Sequence, residues 1–439
     1  MKRRNFFKSI IGAAGALYFN PVVEGAESSL YHLKLGYKDW NKSKKWGITS
    51  PDNAAWKKLR KQFLIPSRYT YLNTGGLGAS PVPVINRVLR VMENEETYPS
   101  PSHDEDNSLK IKEKIATFLG PGVKPEHIAF TSTATEGINI IINGLPFENG
   151  DEIITSSHEH VAMEIPLLHH IKKNGIIVKM FEPDLNNAKA NVERIERLIT
   201  PRTRLIFISH VTCSTGQVFP VSTIGNLARS RNILFALDGA QSVGQLPFNI
   251  ADTNADFYVF SGHKWLLGPK RTGILYVNPR QISLLSPSIV GAFSSSSHDL
   301  WKNKLELHPT ASKFEYGTRN NALIEGLEEA FDFISTIGIS NIWNHNRFLA
   351  ELFLKEIKKM PRIRILSPVE EEYRSSLITF KVDGVEIEKL TSLLMRDQIR
   401  CRLVSEAGLN AIRVSFHVYN GENDLYKLVK LMKDFTYKI

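Results

Sequence analysis

Short, unbroken apolar runs alternate along the middle of the chain with segments whose apolar positions recur at helical spacing. Ile128–Thr131, Glu152–Thr155, Arg204–Ser209, Ile233–Leu237, Phe257–Phe260 and Gly273–Val277 read as strands, with Glu136–Asn143 and Val221–Arg231 as intervening helices. Strands with continuous apolar character suit burial on both faces of a mainly parallel sheet. The alternation predicts an α/β fold, a large domain with a mainly parallel mixed sheet between helices. A helical stretch from Ala322 to Lys359 is expected next. It is followed by a strand Ser376–Val382, a helix Glu386–Arg396, strands Arg400–Val404 and Ala411–Ser415, and a helix Asn423–Phe435. These compose a smaller α+β domain.

Toward the start, Asn73-Thr74-Gly75-Gly76-Leu77-Gly78 makes a glycine-rich turn. Pro81 and a helical pattern through Ile85, Val88, Leu89 and Met92 follow. The polar stretch 30–61 carries Trp40, Trp46 and Trp56 and is expected to dock these rings on the body. Ahead of it, Arg3-Arg4-Asn5-Phe6-Phe7-Lys8 and the apolar run Ile10–Phe19 have the form of a bacterial twin-arginine signal. The apolar run is too short for a permanent anchor. The expected organisation is therefore a signal at 1–26, an arm packing with the small domain at 27–85, a large domain at 86–325 and a small domain at 326–439. Export by the twin-arginine translocase to the periplasm is expected, with no stable membrane insertion.

With 42% hydrophobic and 23% charged residues, the 439-residue chain has ordinary globular composition. Its net charge of +10 is spread among interleaved acids and lacks a nucleic-acid motif, so nucleic acid is not expected as a partner. Cys213 and Cys401 lie far apart and show no zinc spacing. They read as two isolated thiols, with a single disulfide as the alternative.

Candidate chemistry gathers just past the ends of the predicted strands, where open α/β sheets bind ligands. Asp238 opens Asp238-Gly239-Ala240-Gln241; it caps the next helix or pairs with a buried cation such as a protonated pyridine nitrogen. Lys264, in Ser261-Gly262-His263-Lys264-Trp265, is either an exposed turn lysine or a desolvated amine of lowered pKa suited to Schiff-base chemistry. Ser261 and His263 could donate to a phosphate. Thr131-Ser132-Thr133-Ala134-Thr135-Glu136 fits an anion site at a helix N-terminus or a plain cap. In Ser157-His158-Glu159-His160, a ring stacked on a planar cofactor is a simpler use than a metal, and no metal site is expected.

Taken together, these segments resemble the class V aminotransferase family of fold-type I pyridoxal-phosphate (PLP) enzymes. That family includes cysteine desulfurases, kynureninase and isopenicillin N epimerase. The matching runs are Tyr71-Leu72-Asn73, Thr135–Asn139, Glu159-His160, Ser209-His210-Val211, Asp238–Gln241, Ser261–Lys264, Phe314–Thr318 and Arg413-Val414-Ser415. The resemblance implies a Schiff base and proton relay on Lys264, Asp238 at the pyridine nitrogen, Gln241 at the ring hydroxyl and His160 stacked on the ring. Ala134 (through its backbone), Thr135, Ser261 and His263 would hold the phosphate. Gly317 and Thr318 would reach the phosphate of a second subunit in a homodimer. Arg413 would bind the substrate carboxylate, with Gly76 beside the substrate and Arg319 as a further anionic contact.

The loop Arg402–Leu409 lacks the cysteine that desulfurases carry, and Cys401 falls before it. Cys213 stands where desulfurases tend to have asparagine. On this ground desulfurase activity is not expected. The runs 73–78, 210–216 and 314–319 look most like the isopenicillin-N-epimerase-like branch. The expectation is an aminotransferase or epimerase acting at Cα of a small amino acid or peptide-like amine. A C–S lyase is the alternative, and a non-catalytic PLP-binding scaffold the second alternative.

Overall fold

The computed structural model describes residues 54–99 and 105–437. The twin-arginine segment, Trp40 and Trp46 lie outside these residues. A seven-stranded sheet forms the larger layer. In chain order its strands are β1 (Ile128–Thr131), β2 (Glu152–Ser156), β3 (Ile177–Phe181), β4 (Thr203–Ser209), β5 (Leu234–Asp238), β6 (Phe257–Ser261) and β7 (Gly273–Val277). Their spatial order is β1-β7-β6-β5-β4-β2-β3. Only β7 runs antiparallel to its neighbours, β1 and β6. Six of these seven strands are buried at all or nearly all positions, as their unbroken apolar runs require. The mainly parallel mixed sheet between helices is thus as the sequence implies.

β3 was not expected from the pattern. It is one edge of the sheet, and unlike β1 at the other edge it leaves residues such as Ile177 and Met180 exposed, so burial never shaped its sequence into an apolar run. The expected helical stretch from Ala322 to Lys359 forms two helices, Asn321–Ile337 and Ile339–Ile357. The chain breaks at Gly338, which takes φ +88°, open to glycine but unfavourable for other residues. In the helix Val82–Thr97, Val84 and Val91 face inward, whereas Leu89 and Met92 are exposed.

A second, four-stranded antiparallel sheet comprises β8 (Ile363–Ile365), β9 (Leu377–Val382), β10 (Arg402–Val404) and β11 (Ala411–Ser415), ordered β8-β9-β11-β10. Its core includes Leu349, Phe353, Phe380, Leu390, Val414 and Leu428, distinct from the core around Ile138, Phe207 and Val259. The N-terminal part of the described chain is sewn onto this sheet. Thr70–Tyr71 pairs in parallel with Ile399–Arg400, and Ser415 donates its N–H to the Leu72 carbonyl at 2.8 Å. Trp56 docks as expected for a ring in this arm, 6% exposed and stacked on His345 at 3.8 Å.

Candidate active site

The polar residues singled out above emerge where β1, β2, β4, β5 and β6 end. Asp238 is the last residue of β5, and its Oδ1 accepts the Ala240 N–H at 2.8 Å. Lys264 follows β6 by one turn. Asp238 is buried, and Lys264 is half-buried. Burial lowers the Lys264 pKa, with Asp238 pulling the other way; burial raises that of Asp238, opposed by Lys264. A desolvated amine coupled to a desolvated carboxylate keeps a lysine nucleophilic. The turn that carries it is tightly fixed. Leu267 adopts φ +62°, a costly geometry for a branched side chain. Across from it, Gly78 donates to the His263 carbonyl at 2.8 Å, and a Cβ on Gly78 would sit 2.0 Å from the Lys264 carbonyl oxygen.

Gln241 is held from both ends, donating to the Gly75 carbonyl at 2.8 Å and accepting from Trp265 Nε1 at 2.9 Å. His160 caps the helix Val161–Asn174, with Nδ1 accepting the Ala162 N–H at 3.1 Å. Burial, then the neighbouring Lys264, pushes its pKa down to about 4, so the ring is neutral near pH 7. His263 is likewise pushed down to about 4 by burial.

At the start of the helix Ala134–Gly144, Thr133 caps by accepting the Glu136 N–H. The Ala134 N–H is given to Ser261 Oγ at 3.0 Å, and Thr135 is exposed in the first turn. Gly317 and Thr318 line a cavity of about 230 Å³ together with Thr131, Ser132 and Arg271.

Arg413 lies on β11 with no exposed surface. Its Nη1 donates to the Cys213 carbonyl at 2.6 Å and its Nη2 makes a long contact of 3.4 Å with Asn73 Oδ1. Burial, then Arg402, pushes its pKa down to about 9, leaving it charged near neutrality. A Cβ on Gly75 would come within 2.9 Å of Arg413 Nη2, whereas one on Gly76 would meet the Asn73 side chain. Gly75, rather than the expected Gly76, thus borders the guanidinium.

Arg319 does not join this group. It pairs with Glu315 and lies over the Phe130 ring, so its charge is spent internally. His158, Glu159 and His160 diverge. His158 is 3.3 Å from Glu182, and Glu159 is bound by Ser156 and by the Ser209 hydroxyl and N–H. No cluster of metal-ligating side chains occurs among the described residues. Cys213 and Cys401 are both free and buried, and burial pushes the Cys401 thiol up to about 12.

Sequence reasoning passed over Arg402 and Glu406. Arg402 is the cross-strand partner of Arg413 and ion-pairs with Glu406. Only the pairing of β10 with β11 brings these groups to the site; the spacing of 402 and 413 alone carries no such signal.

The residues fit PLP. His263 Nδ1 and Arg413 Nε are buried without a hydrogen-bond partner. Such nitrogens are costly unless a ligand satisfies them, and one stands beside Lys264 and the other at the expected carboxylate subsite.

A family model described as "Aminotransferase class-V" matches residues 95–428. The chain is 25% identical over 398 residues to a probable cysteine desulfurase of Methanothermobacter thermautotrophicus, covering 86% of this chain and 97% of that one. It is 27% identical over 398 residues to isopenicillin N epimerase of Amycolatopsis lactamdurans, covering 87% and 99%. Apo cysteine desulfurase from Thermococcus onnurineus superimposes with a TM-score of 0.78 at 23% identity, covering 87% and 98%, a likeness of fold. Cysteine desulfurases recur among the curated relatives. The expectation against that activity, drawn from the missing loop cysteine, is therefore corrected: relatives so named cover up to 86% of this chain.

Proposed function

The chain belongs to the class-V aminotransferase family of PLP-dependent enzymes, and from this premise we propose that it cleaves the C–S bond of a cysteine-class α-amino acid. The observation that carries the reading is a lysine, Lys264, set against the buried carboxylate of Asp238 at the strand ends of the large sheet, with the buried Arg413 of the small sheet acting electrostatically on that lysine, in a chain whose relatives are named mostly for cysteine desulfurization.

PLP bound here would supply an electron sink for charge developing at Cα. Lys264 would hold it covalently, Asp238 would pair the pyridine nitrogen, and Ser261 and His263 would face its phosphate. Arg413 presents its Nε–Nη2 edge to the α-carboxylate, because Nη1 is committed to Cys213. Lys264 Nζ, uncharged more readily than a solvent lysine, takes the Cα proton and holds it. Neutral His160 adds no charge that would compete with Asp238. The β-carbon–sulfur bond then breaks with its electron pair leaving on sulfur.

Cofactor-loaded protein supplied with cysteine and S-substituted cysteines should release sulfide or thiol together with pyruvate and ammonia. Cα hydrogen exchange with no sulfur release would defeat the proposal. That outcome would favour epimerisation, the second reading, which rests on the Amycolatopsis relative matched over 99% of its length. The proposal extends to export through Arg3-Arg4 and to a homodimer in which Gly317 and Thr318 face the partner's phosphate. Fractionation of an Arg3→Lys, Arg4→Lys variant and sedimentation of the mature protein test these two points.

A further inference from the structure

Beside Arg413 stands an ionic device that the reaction above does not use. Arg402 and Arg413 are directly opposed across the antiparallel pair β10–β11, so both guanidinium groups leave the same face of the sheet. Arg402 is held by Glu406 Oε1. The Glu406 side chain is only 6% exposed, yet its second oxygen, Oε2, is buried with no hydrogen-bond partner. The backbone is bent to put it there. Ala407 and Asn410 take φ +51° and +46°, left-handed conformations that disfavour non-glycine residues, and strain of this kind collects at functional sites. Glu164 and His160, on the neighbouring helix and its cap, are electrostatically coupled to Glu406, and Glu164 adds further negative potential.

What could occupy Oε2 follows from the cost of each alternative. An apolar group would leave a buried carboxylate oxygen unsatisfied. A second carboxylate would have to displace Glu406 from Arg402 and strand a buried negative charge. An ammonium group can take Oε2 while Oε1 keeps its bond to Arg402, so nothing is broken and a vacant acceptor is filled.

We propose that Glu406 selects substrates whose sulfur substituent ends in an ammonium group, bound at Oε2, so that the site takes S-aminoalkyl or S-aminoacyl-type derivatives of cysteine in preference to alkyl or carboxyalkyl ones. This rests on the C–S lyase reading and names its substrate class. The pair S-(2-aminoethyl)cysteine and S-propylcysteine, alike in length and differing in the terminal charge, tests it.

The wild-type holoenzyme should prefer the aminoethyl compound in kcat/KM by about tenfold, the worth of one charge-assisted hydrogen bond. In Glu406→Gln the ratio should fall to about one, and Glu406→Asp should keep part of it, which separates lost charge from lost folding. A ratio near one in the wild type, or a preference that survives Glu406→Gln, overturns the proposal. Dissociation constants measured by calorimetry on cofactor-loaded Lys264→Ala protein, which cannot turn over, should show the same preference. If neither compound releases thiol, the lyase reading falls, and these binding ratios alone decide the role of Glu406.

Discussion

Replacing Arg413 by lysine keeps the charge on β11 and removes the planar fork. In the wild type, Nη1 is anchored on the Cys213 carbonyl at 2.6 Å, while Nε has no partner and Nη2 has only a 3.4 Å contact with Asn73. The Nε–Nη2 edge is thus available to hold both oxygens of an α-carboxylate. A lysine ammonium can serve the carbonyl or the carboxylate, but cannot reproduce two parallel bonds. Losing one charge-assisted hydrogen bond costs about 1.5–3 kcal/mol, or roughly 10- to 150-fold in kcat/KM. The loss should lie in KM, because the carboxylate is held equally before and during proton removal. The assay is steady-state turnover of a cysteine-class amino acid, set against the spectral dissociation constant of the carboxylate-free amine cysteamine. The amino acid should bind at least tenfold more weakly in Arg413→Lys, with cysteamine unaffected. Equal losses for both, or a change below threefold for the amino acid, would refute the assignment of the Nε–Nη2 edge.

Gly78→Ala should abolish stable cofactor incorporation, read from the visible absorption of purified protein, because its Cβ would fall 2.0 Å from the Lys264 carbonyl oxygen; full incorporation would show the turn can yield. Trp56→Ala should cost about 3–5 kcal/mol in urea denaturation, through loss of a buried ring stacked on His345; a loss below about 1 kcal/mol would mean the arm is dispensable. Glu159 is pushed up to about 7 by burial, so from about pH 4.5 to 7 the folded state binds the proton that the unfolded state has released. Its contribution to stability therefore falls as pH rises through that window. Glu159→Gln should gain stability relative to the wild type between pH 5 and 8, and a pH-independent difference would contradict the assignment. His210 and His417, pushed down to about 3, act with the opposite sign, so stability should be lost as pH falls below about 6.5 toward 3.

The strands of the central sheet were legible because burial on both faces writes itself as an apolar run, and Asp238 and Lys264 stood out as charges at the ends of such runs. The edge strand Ile177–Phe181 left no such trace. Gly338 was readable as a residue type but not as a break, since glycine inside a helical pattern is also tolerated. The substrate side of the site was the least legible. Arg402 meets Arg413 only through strand pairing, and Asn73 and Cys213 reach the guanidinium from segments hundreds of residues away in sequence. A motif records neighbours along the chain, whereas this subsite is made by neighbours across it.

The stitching of Thr70–Leu72 to Ile399–Arg400 and Ser415 also sets a timetable for synthesis. The glycine-rich turn is among the first described segments to leave the ribosome, yet its partners are among the last. Tyr71 gives its carbonyl to Asn420, 349 residues later, and Arg60 bonds the Tyr419 carbonyl, 359 residues later. A nascent chain can therefore assemble the sheet that carries Asp238 and Lys264 well before it can close the carboxylate subsite. Long-range closure of this kind is slow. A chain stopped before Ile399 should gather the cofactor's neighbours but not grip a substrate.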